Sequence, residues 1–209
     1  NRVLLSELLR EPQRIFQIAI QIGLIAFERE INNIINESPL NHPGSIQLMK
    51  ITLAGYFAGA VMMPYSDFRQ SAFECRHDID ILARRFSASF EQVCHRLTTL
   101  NRKNEKGIPF FFLRVDEAGH ISKRLSAAGI QFARYGGSCG RWIPHQTFRT
   151  PGQVLAQYSE LEEGQKFFTI ARTVSQNRTS NSFVDTPLFS VALGCDVKHV
   201  ENIVYADSF

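Results

Sequence analysis

An α+β fold, helical in its first half and an antiparallel sheet in its second, is predicted by three features of the 209-residue sequence. Apolar residues recur at helical spacing from Leu4 to Thr99, and that period is lost after the polar run Asn101–Gly107. The strand-like segments beyond it follow one another as hairpins, which pair antiparallel, because a parallel pair needs a crossover of roughly a dozen residues or more. The boundary divides the chain into a helical domain, residues 1–106, and a strand-rich domain, residues 107–209.

Within the helical half, Ser38-Pro39, His42-Pro43-Gly44 and Pro64 act as stops. The first helix, Arg14–Ile35, carries Ile15, Ile18, Ala19, Ile22, Ile25 and Ala26 on one side. It is apolar over much of its circumference, as a helix in a domain centre should be. A second buried helix is predicted over Gln47–Met63. Its apolar run, Ile51–Met63, is interrupted by small residues and ends at Pro64, short of the roughly 20 apolar residues that span a bilayer, so no membrane partner is expected. Two shorter helices follow, Asp78–Phe86 and Ser89–Leu100, with Ser87-Ala88-Ser89 as turn and N-cap.

In the second half, Phe110–Val115 and His120–Arg124 form a hairpin around Asp116–Gly119. Gln153–Leu161 and Lys166–Thr173 pair across Glu162-Glu163-Gly164, then Leu188–Leu193 and a last short strand, Ile203–Ala206, complete the set. Gln176–Asp185 is polar and reads as a loop.

Composition narrows the function classes. With 44% hydrophobic and 21% charged residues the chain is an ordinary globular protein. Its four cysteines (Cys75, Cys94, Cys139, Cys195) form no C-x-x-C pair, which excludes a disulfide framework and a zinc-finger site and points to a reducing, cytoplasmic setting. The net charge of +3 is modest and its basic residues are dispersed, so nothing suggests that this chain itself binds nucleic acid. The chain starts without Met and shows no signal peptide, so it is expected to be part of a longer protein.

Phe16-Gln17-Ile18-Ala19-Ile20-Gln21-Ile22-Gly23-Leu24-Ile25 resembles the zinc helix of the ImmA/IrrE metallopeptidases, F-x-x-A-H-E-x-G-H-L. The frame is kept and the chemistry is gone. A zinc peptidase needs two imidazoles one helical turn apart and a carboxylate base beside the first. Here Ile20 and Leu24 stand at the histidine positions and Gln21 at the glutamate. Hydrocarbon side chains offer a metal no lone pair, and an amide does not take a proton from water at neutral pH. The second signature of that family, A-N-x-F-A-A-E-L-L-M-P, is matched by Ala54-Gly55-Tyr56-Phe57-Ala58-Gly59-Ala60-Val61-Met62-Met63-Pro64, where Leu53 and Ala60 replace the acids. Asp80–Phe86 is similar to the family's next helix. The resemblance implies a zincin-like helical half without a metal site, hence no enzyme.

A second resemblance covers almost the whole chain. Ile108–Val115, Ser122-Lys123-Arg124, Phe132-Ala133-Arg134, Phe148-Arg149-Thr150-Pro151-Gly152, Val191–Asp196 and Tyr205-Ala206-Asp207 resemble the short-chain fatty acyl regulators. These are transcription factors with an XRE-type helix-turn-helix head, a degenerate peptidase-like middle and a strand-rich effector domain ending in a cysteine cluster. The resemblance implies a homo-oligomer that senses CoA or short-chain acyl-CoA and reaches DNA only through a head that this chain lacks. It also implies no cofactor within the chain and an iron–sulfur cluster in the full-length protein, with Cys195 as one metal ligand.

A CoA-like ligand brings phosphates, which arginine meets with a two-pronged fork. The expected ligand-binding residues are therefore the basic Arg114, Lys123, Arg124, Arg134, Arg149 and Arg172 and the aromatic Phe132, Tyr135, Trp142 and Phe148, with Gly136-Gly137 allowing close backbone approach. Three rival readings are weaker. Leu82–Leu97 has helix-turn-helix proportions, yet Phe90, Val93, Cys94 and Leu97 spend its second helix on a core face. Neither Cys75/His77 nor Cys94/His95 sets two ligands on one helical face, and His120 and His145 lack an evident carboxylate partner. The expected function is effector binding in a regulator. The alternatives are a non-catalytic interaction scaffold, or a residual metallopeptidase with a replacement ligand set, for which no residues are found.

Overall fold

The computed structural model describes residues 3–7, 9–127, 141–160, 164–175 and 187–208. Six helices come first: α1 (Glu11–Ala26), α2 (Glu28–Asn36), α3 (Pro43–Met62), α4 (Tyr65–Glu74), α5 (Ile79–Arg85) and α6 (Phe90–Leu97). Then come β1 (Phe111–Asp116), β2 (Ile121–Ser126), a one-turn helix α7 (Ile143–Gln146), β3 (Leu155–Glu160), β4 (Lys166–Ser175) and β5 (Leu188–Asp196). The strands make one antiparallel sheet in the order β2-β1-β5-β4-β3, so β5 joins the β1–β2 and β3–β4 hairpins. The α+β class read from the change of period holds.

The strand period of two gives the sheet two covered faces. On one, Phe112, Ile170, Val191, Leu193 and Cys195 join Phe68, Ile79, Leu82, Phe90, Val93 and Leu97 from α4–α6 in the main core. On the other, Phe111, Leu113, Phe167 and Ala192 pack with Ile143 of α7 in a smaller one. Gly194 is required on that second face, because a Cβ there would overlap the Phe111 ring and lie 2.9 Å from Thr169 Oγ1.

The helices α5 and α6 form close to where their caps predict. Asp78 accepts from the Ile81 amide to start α5, and Ser89 and Gln92 make a reciprocal capping box at α6. Arg96 of α6 is buried, and its Nε donates to Met63 O at the end of α3, where helix carbonyls lack partners.

Five sequence expectations need correction. Arg14–Ile35 is two helices, α1 and α2, meeting at Phe27, whose ring packs 4.8 Å from that of Phe57. Nor is α1 central. Only Ala19 and Gly23 are buried, while Ile15, Ile18, Ile22 and Ile25 are 38%, 44%, 51% and 60% exposed. The small residues let α1 and α3 approach closely, with Phe57 against Gly23, so the contact uses the small-residue face and turns the isoleucines outward. Likewise α3 buries only Ala54 and Ala58; among the described residues it is the one helix long and apolar enough to cross a membrane by length and composition. Helix α4 follows Pro64 directly, because a proline that stops one helix can open the next. Finally, Val204–Ser208 is a 3-10 turn rather than a strand. Its partners lie in the helical half: Val204 N donates to Arg76 O, and Tyr205 Oη accepts from the Ile79 amide.

Candidate ligand-binding site

The peptidase-like frame on α1 carries two hydrocarbon side chains and an amide where that family has its histidines and glutamate. Ile20, Gln21 and Leu24 are partly buried on α1, and the neighbouring contacts are Phe57 on Gly23 and Phe16 near Gly55. Among the described residues no group of three His, Cys, Asp or Glu side chains is placed to hold a metal ion.

The charged chemistry lies between the sheet and α5–α6. Arg114 on β1, Val191 on β5 and Arg172 on β4 are register partners, so the two arginines flank Val191 on the helix-facing side. Arg114 Nη1 lies 3.2 Å from Glu91 Oε1, its Nε donates to Ser122 Oγ at 2.9 Å, and its guanidinium sits 4.7 Å from the centre of the Phe189 ring. Lys123 Nζ reaches the same Glu91 oxygen at 3.4 Å. Two cations therefore share one carboxylate. Glu91 stands in the first turn of α6, where the helix dipole favours an anion. Arg172 is satisfied separately: its Nη1 donates to both Asp80 oxygens, at 2.8 and 3.0 Å, and its guanidinium stacks 4.0 Å over Phe90. His95 is next to this cluster, with its ring 6.0 Å from that of Phe112. Burial, reinforced by Lys123, lowers its pKa to about 4, so it is neutral at pH 7.

The remaining predicted residues lie elsewhere. Arg124 pairs across from Leu113 and so belongs to the α7 side of the sheet, where it is exposed. Trp142 packs 6.4 Å from Phe111 on that side, and Phe148 and Arg149 occupy the 3-10 turn Thr147–Arg149, half-buried and exposed. Phe132, Arg134, Tyr135 and Gly136-Gly137 lie outside the described residues. Of the seven that are described, Arg114, Lys123 and Arg172 share the helix-facing side and the other four do not join them.

Cys195 is 1% exposed in the main core, paired across strands with Phe168, and burial pushes its thiol up to about 12. A cluster ligand must be a thiolate reachable by iron. As placed here, Cys195 does not fit an iron–sulfur ligand set. Its neighbour across a small cavity is His77, buried at a positive φ of 58°, with Nδ1 2.9 Å from Asn202 O and Nε2 unpartnered among the described atoms. A carbonyl only accepts, so Nδ1 carries the proton; burial lowers the pKa of this ring as well.

The sequence reading missed Glu91 and Asp80, the acids that fix the sheet arginines. The available signal was an acid in the first turn after a Ser or Asp cap, which marks a helix start but not its distant partner.

Residues 99–209 match the family model described as short-chain fatty acyl coenzyme A regulator, C-terminal. The chain belongs to that family. Residues 1–98 match the IrrE N-terminal-like domain, the zincin-like helical half whose metal ligands are replaced here. The chain is similar to the propionyl-CoA carboxylase regulator of Cereibacter sphaeroides, at 42% identity over 99% of this chain and 45% of that protein. It is also similar to two HTH-type transcriptional regulators of Mycobacterium tuberculosis. PrpR is 41% identical over 93% of this chain and 40% of its own length, and RamB 34% identical over 99% and 44%. A solved Mycobacterium tuberculosis transcriptional regulator superposes with a TM-score of 0.92 at 39% identity, over 97% of this chain and 62% of that one. The chain thus spans less than half the length of the curated relatives it matches.

Proposed function

We propose that this chain is the effector-binding region of a transcriptional regulator and takes CoA or a short-chain acyl-CoA, without catalysis, while DNA is read by a segment outside it. The observation that carries the phosphate-bearing ligand is the pair Arg114 and Lys123 held against the single carboxylate of Glu91. That leaves a net positive charge at a partly open site, beside an aromatic ring, which suits a phosphate with an apolar tail. A phosphate there competes with Glu91 for both cations. Glu91 sits in the first turn of α6, so ligand binding is coupled to how the helical half rests on the sheet. The names of the relatives support the class of ligand: one regulates propionyl-CoA carboxylase, and the family itself is named for short-chain fatty acyl coenzyme A.

A second reading has its own observation. Arg172 is already neutralised by Asp80, as expected if the ion pairs serve only to fasten helices to the sheet in an interaction scaffold.

Thermal unfolding with CoA, acetyl-CoA and propionyl-CoA separates the two. A ligand that binds only the folded state at 100 times its Kd stabilises by about 2.7 kcal/mol. For a chain of this size that is a rise of roughly 5–10 °C in Tm. The effector reading expects such a rise, abolished by Arg114→Ala with Lys123→Ala. No rise with any of the three favours the scaffold, and a rise unaltered by the double substitution moves the ligand away from Glu91.

A further inference from the structure

The feature of the molecule that the effector site does not use is the outer stripe of α1. Ile15, Ile18, Ile22 and Ile25 follow one another at intervals of three, four and three residues, and all four are exposed. That spacing is the a/d seam of a coiled coil, and isoleucine at such a seam is a knob that seeks a hole on a facing helix. No charged residue interrupts the run from Ile15 to Phe27. Ile34 of α2 and Leu48 and Ile51 of α3 are further exposed apolar residues of the same three-helix unit.

We propose that this seam is an isologous interface, covered by α1 of a second copy of this chain running antiparallel. Two observations select that occupant. The seam is apolar and uncharged, so it can meet its own copy without burying a charge or setting like charges against each other near the two-fold axis. The charges at the two ends of α1 then fall into complementary positions. Placing Ile18 opposite Ile22 of the second copy also puts Ile15 opposite Ile25. The same alignment brings the Arg10, Glu11 and Arg14 end of each α1, net positive, beside the Glu28, Arg29 and Glu30 turn of the other, net negative. Antiparallel pairing sets the helix dipoles head to tail as well. In extent the seam runs the length of a 16-residue helix, roughly 24 Å.

The test uses the 209-residue chain, of 23.7 kDa, and does not depend on the acyl-CoA reading. Sedimentation equilibrium at roughly 100 µM fills even an interface with a micromolar Kd and is expected to give twice the monomer mass. Ile18→Asp should return the monomer with the helix content of the parent, because Ile18 is exposed within one copy, and its unfolding midpoint should fall only to that of the parent diluted below its dimer Kd. The register has its own readout. When copies carrying Ile18→Cys are mixed with copies carrying Ile22→Cys and oxidised, the mixed pair should cross-link well ahead of either like pair. A parent that remains monomeric, including one that binds lipid vesicles or another protein as a monomer, overturns the proposal. So does a dimer that survives Ile18→Asp, or cross-linking in which like pairs dominate.

Discussion

Arg114 and Arg172 flank Val191 one strand to either side, yet one shares its carboxylate with a lysine and the other has a carboxylate to itself. The difference separates a residue with charge to spare from one that is structurally committed, and the first prediction follows from the committed one.

Arg172→Ala should lower stability by about 1–2 kcal/mol, combining a half-exposed ion pair with stacking on Phe90. Asp80→Ala should cost less, about 0.5–1 kcal/mol, since Asp80 is more exposed and leaves the stacking intact. Urea unfolding of both single variants and the double variant checks it: the double should lose little more than Arg172→Ala alone. Fully additive losses would mean that the pair is not coupled.

Gly194→Ala places a methyl group into the buried Phe111 ring and against Thr169 Oγ1, on a sheet face with no slack. Overpacking of this kind should cost about 2–3 kcal/mol. An unfolding midpoint equal to that of the parent would show that Phe111 has another place to go.

Both His77 and His95 have pKa values lowered by burial, His95 to about 4. The unfolded chain, with histidines near 6.5, therefore binds more protons between those limits, and stability falls as pH drops from about 6.5 toward 4. Above 6.5 both states are neutral at these positions and the contribution is fully present. For His95 the loss should be on the order of 2–3 kcal/mol by pH 4, and His95→Gln should flatten the profile over that window. Chemical denaturation at pH 7, 5.5 and 4.5 reads this directly, and an unchanged slope in the variant would count against it.

Zinc and chelators should leave the chain indifferent. Ile20, Gln21 and Leu24 give the peptidase frame no donor, so neither EDTA nor equimolar zinc should move Tm. A zinc-dependent rise would require ligands outside the frame, and mass spectrometry under native conditions would count them.

Much of the architecture was legible before any coordinates. The shift from helical spacing to hairpins gave the α+β class and, to within a few residues, α5, α6 and all five strands, because local periodicity and caps are written in neighbouring residues. The break at Phe27 was not, since no Pro or Gly marks it and the cause is packing on Phe57. Helix α4 was hidden behind Pro64, which signals a stop and a start alike.

By itself, the sequence determined that the peptidase frame carries no metal donors, because the chemistry of a side chain is fixed by its identity alone. It also placed Arg114 and Arg172 on strand segments, since each falls inside a run with strand character. Only the tertiary structure decided what those residues meet. Glu91 lies 23 residues before Arg114, Asp80 lies 92 before Arg172, and local pattern carries no record of pairs that far apart. It decided in the same way that α1 turns its small residues inward and its isoleucines outward. A helix that is apolar all round offers several faces to burial, and the one that is buried is the one whose shape lets a neighbour come close.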